Sequence, residues 1–309
     1  MDTTDVVIIG GGPAGLTAAI YAARSRLDTL MIEKMSPGGQ VLVTDRVDNY
    51  PGFPEGITGF ELVDRMAAQA RRFGVSEMTA EVTGVEPAED GLVSVSVSSG
   101  GPVLARGVII ATGASHRKLG VPGEEEYAGR GVSYCATCDG PFFRDQEVAV
   151  VGGGDSAVQE AIFLTKFASK VYLIHRRDQL RAVKILQEKA FSNPKIEFVW
   201  DSVVEEVLGD DSGVTGVRVA NVRDGSTRVL AVTGLFVFIG MVPNTGFLKG
   251  VVEMDQRGFI LADEWMRTSM TGVYAAGDCR AKPLLQIVTA VSDGATAAFA
   301  IEHALSGAG

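Results

Sequence analysis

The first apolar run, Asp5-Val-Val-Ile-Ile-Gly10, is short and ends in glycine, the pattern of a buried strand. Gly10-Gly11-Gly12-Pro13-Ala14-Gly15 follows, then the Ala-rich, helix-prone stretch from Leu16 to Arg26, then a second apolar run from Thr29 to Ile32. The same succession returns later. Glu147 to Val151 predicts a strand, Gly152-Gly153-Gly154-Asp155-Ser156-Ala157 a turn, Ala157 to Phe167 a helix and Lys170 to Ile174 a strand. This strand–turn–helix–strand unit is an internal repeat. Leu92 to Ser98 alternates with period two and reads as a half-buried strand. Arg106 to Gly113 is a strand running into a glycine turn, and Gly272 to Asp278 is another that ends in Gly-Asp. Gln286 to Leu305 predicts a closing helix with a soft interruption at Asp293-Gly294.

These elements predict an α/β fold of two Rossmann-like, three-layer nucleotide-binding domains, the second inserted into the first. The first domain spans 1–115 and 246–309, and the second spans 116–245. The connector Ala114 to Val121 and the Gly/Pro-bounded loop Gly240 to Thr245 carry the two crossings. Adjacent crossings make a two-stranded hinge, a place where rigid domains swivel.

The two turns differ in their chemistry. In the first, Gly10 permits the tight turn, Gly12 lets backbone approach a pyrophosphate, and Gly15 lets helix pack on strand. Pro13 opens the helix, and the helix start beyond it, from Ala14, offers free N–H groups to phosphates. Glu33 lies 23 residues after Gly10. An acid there accepts hydrogen bonds from an adenosine ribose and repels a 2′-phosphate, so this site suits FAD or NAD. In the second turn, Gly152 and Gly154 precede Asp155 and Ser156. The residue 23 positions after Gly152 is His175, followed by Arg176 and Arg177. Cationic donors replace the acid, and arginine's planar fork suits a phosphate dianion, so this site suits NADPH.

The net charge of −10 over 309 residues argues against nucleic acid or an anionic membrane as partner. Lys166, Lys170, Arg176, Arg177, Arg181 and Lys184 form a local basic stretch with Asp178. It falls at the end of the second repeat's strand, so the phosphate of one small ligand explains it better than nucleic acid or a solvated face. Hydrophobic content of 46% and charge of 21% fit a soluble globular α/β protein. Val6 to Ala23 carries no charge, but the fingerprint glycines and Pro13 interrupt it, which speaks against a membrane span. The residues before it are acidic, unlike a signal peptide, and this suggests the cytoplasm. Glu124-Glu125-Glu126 reads as a solvated turn, and His116 and His303 as surface or capping residues.

Between the repeats lies Cys135-Ala136-Thr137-Cys138. A C-x-x-C segment is either half of a zinc site or a redox pair. A structural zinc needs four ligands. There is no second C-x-x-C, and Cys279, His116, His175 and His303 are dispersed, so no metal is expected and the redox reading is favoured. Two intervening residues bring the sulfurs within disulfide reach. Asp139 adjoins Cys138 as candidate general acid or base, the alternative being a turn cap.

Together, Gly10 to Gly15, Gly38-Gly39-Gln40, Cys135 to Asp139, Gly152 to Ala157, His175-Arg176-Arg177-x-x-x-Arg181 and Ala276-Gly277-Asp278 occur in one order. In this the chain resembles the low-molecular-weight thioredoxin reductases over essentially its whole length. The resemblance implies FAD in the first domain, NADPH in the second, a homodimer, and rotation between two domain poses. It implies a wire from NADPH to FAD to the Cys135–Cys138 disulfide to thioredoxin. Cys138 would take electrons from the flavin, and Cys135 would meet thioredoxin. Glu33 and Lys34 would lie on the FAD adenosine, and Gly39, Gln40 and Asn49 would line the flavin side. Ala111-Thr112-Gly113 would pass the adenine-side phosphates. Gly277 and Asp278 would reach the ribityl chain, and Gln286 and Ile287 the isoalloxazine. Ser156 would face the NADPH pyrophosphate, while Arg176, Arg177 and Arg181 would hold its 2′-phosphate. Arg130, Phe142 and Phe143 resemble the patch that grips thioredoxin. Two positions depart from the family pattern. Leu285 stands where an arginine is usual, removing a cation, and Cys279 stands where an aliphatic residue is common and reads as a small buried hydrophobe. Alternatives are a reductase of the same fold serving a glutaredoxin-like protein or a peroxidase partner, and a redox sensor without turnover.

Overall fold

The structure, a computed structural model, describes residues 3–44 and 47–307. Its α-helices are α1 (Pro13–Arg24), α2 (Gly59–Arg72), α3 (Ala136–Asp139), α4 (Asp155–Leu164), α5 (Lys184–Phe191) and α6 (Ile287–Leu305). The chain divides into two units, 1–115 with 242–309, and 116–241. The second crossing thus falls between Met241 and Val242, rather than between 245 and 246. The two crossing segments, Ala114–His116 and Met241–Pro243, pair as a two-stranded ribbon.

In the first unit, the strands Ser76–Thr79, Thr29–Glu33, Thr3–Ile9, Val103–Ile110 and Val273–Ala275 lie side by side, all parallel. Val82–Pro87 and Val93–Val97 extend the sheet antiparallel, against the first half of Val103–Ile110. Val6 to Ile9 and Val108 to Ile110 are buried. A parallel sheet covered on both faces demands such continuous apolar runs. Leu92 to Ser98 forms its expected strand as Val93–Val97, with Val93, Ser94 and Val95 all buried. The uncharged stretch Val6 to Ala23 divides into strand, turn and α1, and no described helix is long and apolar enough to cross a membrane.

In the second unit, five parallel strands run in the order Ile196–Val199, Lys170–Ile174, Glu147–Val151, Gly234–Val237, Val132–Ser133. A three-stranded antiparallel sheet, Ser202–Asp210, Gly213–Asn221 and Thr227–Leu230, accompanies them. Each unit places its glycine turn between the first strand of its repeat and the following helix, α1 or α4.

Helix α6 corrects the sequence reading, because it runs unbroken from Ile287 to Leu305 through Asp293-Gly294. Packing explains the glycine. A Cβ on Gly294 would lie 2.1 Å from the Ala14 carbonyl oxygen of α1. Gly15 is equally confined, since its Cβ would fall 1.8 Å from the Gly10 carbonyl oxygen. Gly294→Ala is therefore expected to force α6 off α1 and to lower stability by about 1–3 kcal/mol despite alanine's better helix propensity. Urea unfolding of the variant checks this, and an unchanged or raised midpoint would show that α6 can shift at no cost.

Candidate active site

The fingerprint of the first unit gathers most of the residues expected there. Gly10 packs on the strand end, where its Cβ would meet the Ala111 carbonyl oxygen at 2.4 Å. The Gly11 N–H donates to Glu33 Oε2 (2.7 Å), and the Met35 N–H donates to Glu33 Oε1 (3.2 Å). These bonds aim the carboxylate across the turn and leave lone pairs for a ribose diol. Gly39 lies against Gly12, and the open side of Gly12 has nothing within 4 Å of its Cβ position. Gly277 approaches Ala14, its Cβ position 2.8 Å from the Ala14 Cβ. Asn49 donates to Gln286 Oε1 (2.9 Å), so two residues far apart in sequence meet at the start of α6. There Gln286 and Thr289 form a reciprocal cap, and the half-buried Leu285 and Ile287 flank Gln286. Lys34 takes another partner, as its exposed Nζ pairs with Glu81 at 2.8 Å.

Two polar atoms of this cluster, Thr112 Oγ1 and Asp278 Oδ1, are cut off from solvent and make no hydrogen bond within the chain. Such groups cost about 1–3 kcal/mol each until something satisfies them. With the open backbone at Gly12 and the Glu33 carboxylate, they fit a dinucleotide bearing a free ribose diol. Burial pushes the Asp278 carboxyl up, and the nearby Lys282 ammonium opposes this.

The fingerprint of the second unit has a different floor. The His175 ring lies under Gly153, whose Cβ would meet its atoms at 2.4 Å. His175 is only 5% exposed, and its Nε2 has no partner. Burial, with Arg181 beside it, holds this imidazole below the ordinary histidine value. His175 is thus a neutral packing ring rather than a surface cation. The loop above it is tied down, because the Arg181 N–H donates to the Gly153 carbonyl (2.7 Å) and the Val183 N–H to Asp155 Oδ1 (2.7 Å). Gly154 is open, and Ser156 is exposed at the start of α4. Arg176, Arg177 and Arg181 are exposed and have no carboxylate partner among the described residues, whereas Asp178 pairs with Arg223. Three unneutralised guanidiniums beside a glycine turn fit a phosphate monoester.

Cys135 and Cys138 are joined as a disulfide, with Cα atoms 5.3 Å apart. Cys135 caps α3, and its Sγ accepts the Cys138 N–H (3.2 Å). Asp139 closes that helical turn. Its Oδ2 accepts the Ser133 hydroxyl at 2.5 Å, and the same hydroxyl oxygen accepts the Cys135 N–H at 3.1 Å. Ser133 is buried and was missed in the sequence, where serine before a C-x-x-C carries no signal of its own. Phe142 is 48% exposed, but Phe143 packs edge-on against Phe236 as part of the core. Arg130 is exposed and lies over the Tyr127 ring.

Glu125 and Glu126 are exposed, as the solvated-turn reading has it, but Glu124 departs from it. It is 1% exposed and accepts the Leu119 N–H (2.9 Å), the Gly120 N–H (2.7 Å) and the Tyr134 hydroxyl (2.8 Å). Three donors make burying the carboxylate tolerable. His116 stacks on the Tyr134 ring at 4.9 Å, and burial lowers its pKa. His303 is exposed on the last turn of α6, edge-on to Phe299 and Trp265.

Cys279 is fully buried, its thiol within hydrogen-bond distance of the Ile110 and Ala276 carbonyls. Burial pushes the thiol up to about 11, so it stays protonated through neutral pH and the mildly alkaline range. After reduction at pH 8, an alkylating reagent is expected to label Cys135 and Cys138 rapidly in the native chain, and Cys279 only in urea. Rapid native labelling of all three cysteines, counted by mass, would contradict that burial.

The model of the family described as pyridine nucleotide-disulphide oxidoreductase matches residues 4–294. A thioredoxin reductase of Listeria monocytogenes is 51% identical over 294 residues, 95% of this chain and 91% of that protein. One of Streptomyces coelicolor is 47% identical, covering 99% and 95% respectively. The crystal structure of thioredoxin reductase from Streptococcus pyogenes matches with a TM-score of 0.94 at 50% identity, over 99% of both chains. The chain belongs to the pyridine nucleotide-disulphide oxidoreductases and, within them, to the low-molecular-weight thioredoxin reductases. It is an oxidoreductase enzyme.

Proposed function

We propose that this chain is an NADPH-dependent thioredoxin-disulfide reductase, with FAD held by the unit that contains both chain ends and NADPH by the unit between the crossings. The observation that carries the reading is the Cys135–Cys138 disulfide, set beside a hydrogen-bonded Asp139 in the same unit as three unpaired arginines. A bound flavin supplies a two-electron relay between nicotinamide and disulfide. Glu33, Thr112, Asp278 and the Gly10–Gly15 turn would hold it. Arg176, Arg177 and Arg181 would hold the 2′-phosphate of NADPH, and the open Gly154 turn would leave room for its pyrophosphate.

The dithiol does the outward chemistry. In its reduced form, the Cys135 thiolate attacks one sulfur of the thioredoxin disulfide and the other sulfur leaves. Cys138 then attacks the mixed disulfide, which restores the Cys135–Cys138 bond and releases reduced thioredoxin. One NADPH and one proton balance each thioredoxin disulfide reduced to a dithiol. Asp139, next to Cys138 in the chain, would take the proton from Cys138 and give one to a departing thiolate. Ser133 orients it, because the hydroxyl that donates to Asp139 also accepts the Cys135 N–H. The paired crossings would let the inserted unit rotate between the nicotinamide step and the thioredoxin step. We read the working form as a cytoplasmic homodimer, by analogy with the family.

Three outcomes are expected. Purified protein should carry about one FAD per chain, and NADPH should bleach it; bound NAD without flavin in a denatured extract would refute the cofactor assignment. Cys135→Ser and Cys138→Ser should each abolish thioredoxin reduction while flavin and its bleaching by NADPH persist. If either variant turned over normally in an NADPH oxidation assay with thioredoxin, the dithiol wire would be wrong. Replacing both Arg176 and Arg177 by alanine should raise KM for NADPH on the order of a hundredfold, with little change for NADH. Equal effects on both nucleotides would dismiss the 2′-phosphate role.

A further inference from the structure

Four charged side chains converge where the strand Val273–Ala275 turns towards α6. At their centre is Asp293, itself 7% exposed. Its Oδ2 accepts the Gly277 N–H (3.1 Å) and the Lys282 ammonium (3.0 Å), and its Oδ1 accepts an Arg280 N–H (3.1 Å). The Lys282 side chain is 6% exposed, the more buried of the two cations. Its Nζ also lies 3.3 Å from Thr289 Oγ1 and 3.4 Å from Asp278 Oδ1. An ammonium has three protons, and three oxygens surround this one. The contact to Asp278 falls short of hydrogen-bond geometry, so that oxygen stays without a hydrogen-bond partner.

A buried lysine between two carboxylates is costly unless it solves a problem. Here the problem is Asp278. Its Oδ1 is cut off from solvent beside a second carboxylate, although the side chain as a whole is 31% exposed. Without a counter-charge the carboxyl would be more prone to turn away or pick up a proton, and would then be a weaker acceptor for a ligand. The ammonium opposes both, against the burial that pushes this carboxyl up. Through Asp293 it also anchors Asp278 to α6, the helix whose Gly294 locks onto the fingerprint helix α1. The same Asp293 oxygen fixes the Gly277 N–H, so the backbone leading into Asp278 is held from the other side.

We propose that Lys282 is a positioning residue for the flavin, keeping Asp278 an aimed, charged acceptor for the ribityl hydroxyls and tying it to α6 through Asp293. The inference rests on the reading of the first unit as the FAD site. Sequence patterning gives no hint of it, because Lys282 stands in the irregular segment Arg280 to Leu285, where a lysine is ordinarily solvated.

The test is a titration of FAD into flavin-stripped full-length protein, followed by quenching of flavin fluorescence, with thermal unfolding of the stripped protein as a control. Lys282→Met should weaken FAD binding on the order of tenfold to a hundredfold, the effect of losing a charged contact, while the stripped protein unfolds within a few degrees of the parent. Lys282→Arg should recover most of the affinity. If the Met variant does not fold, Lys282→Gln, which keeps donors without charge, should show the same loss. The Asp278→Asn and Lys282→Met changes should be non-additive, the double variant binding FAD no more weakly than Asp278→Asn alone, since Lys282 acts through Asp278. A lysine that merely braces the loop would give multiplying losses, and that result would overturn the inference. Parent-like FAD affinity in Lys282→Met would overturn it too. A parent protein that takes up no flavin at all would instead overturn the cofactor reading, and this inference with it.

Discussion

The first unit depends on backbone contacts too close for any side chain. At Gly15 the helix α1 sits directly on the Gly10 carbonyl, and at Gly294 the helix α6 sits on the Ala14 carbonyl. The two contacts share one turn of α1, so sheet, α1 and α6 are stacked through a single point. What radiates from that point is the site. Gly10 brings in Ala111 and Thr112, Gly277 brings in Asp278, and α6 carries Gln286 to Asn49 and Asp293 to the turn at Gly277. A methyl group at this junction would move several parts of the site together, because a close-packed interior passes displacement on rather than absorbing it.

The two fingerprints share a backbone and differ in electrostatics. In the first, Glu33 accepts from Gly11 and Met35, so the carboxylate itself joins the turn to the strand end. In the second, the equivalent position is the neutral, buried ring of His175, and positive charge is displaced outward to Arg176, Arg177 and Arg181. A buried cation at 175 would carry a large desolvation cost and would face those same arginines. The guanidiniums instead lie in solvent above a neutral floor, with no carboxylate partner among the described residues.

Around the disulfide, order comes from short side-chain bonds rather than from long elements. Ser133 holds the Cys135 backbone and Asp139 together, and Glu124 holds the ring of Tyr134, the residue before Cys135. The pair is thus bracketed on its amino-terminal side by two buried polar anchors. A cysteine that must change bonding partner on every turnover needs a backbone that does not follow its sulfur, and these anchors supply it.

The sequence by itself determined the repeat, the strand–turn–helix units, the C-x-x-C pair and the contrast between Glu33 and the arginine run, because each is encoded by residues close together in the chain. It also led to the family, since those motifs stand in one order. Tertiary structure decided what depends on partners distant in sequence. Gly294 looked like a helix interruption until α1 supplied the Ala14 carbonyl it packs on. Glu124 looked solvated until Leu119, Gly120 and Tyr134 enclosed it. His175 looked like a cation until Gly153 covered its ring. Lys282 and Asp293 carried no local pattern, and only the fold brings their charges together beside Asp278. Local spacing specifies backbone conformation, but the protonation and partners of a polar side chain are set by whatever the fold places around it.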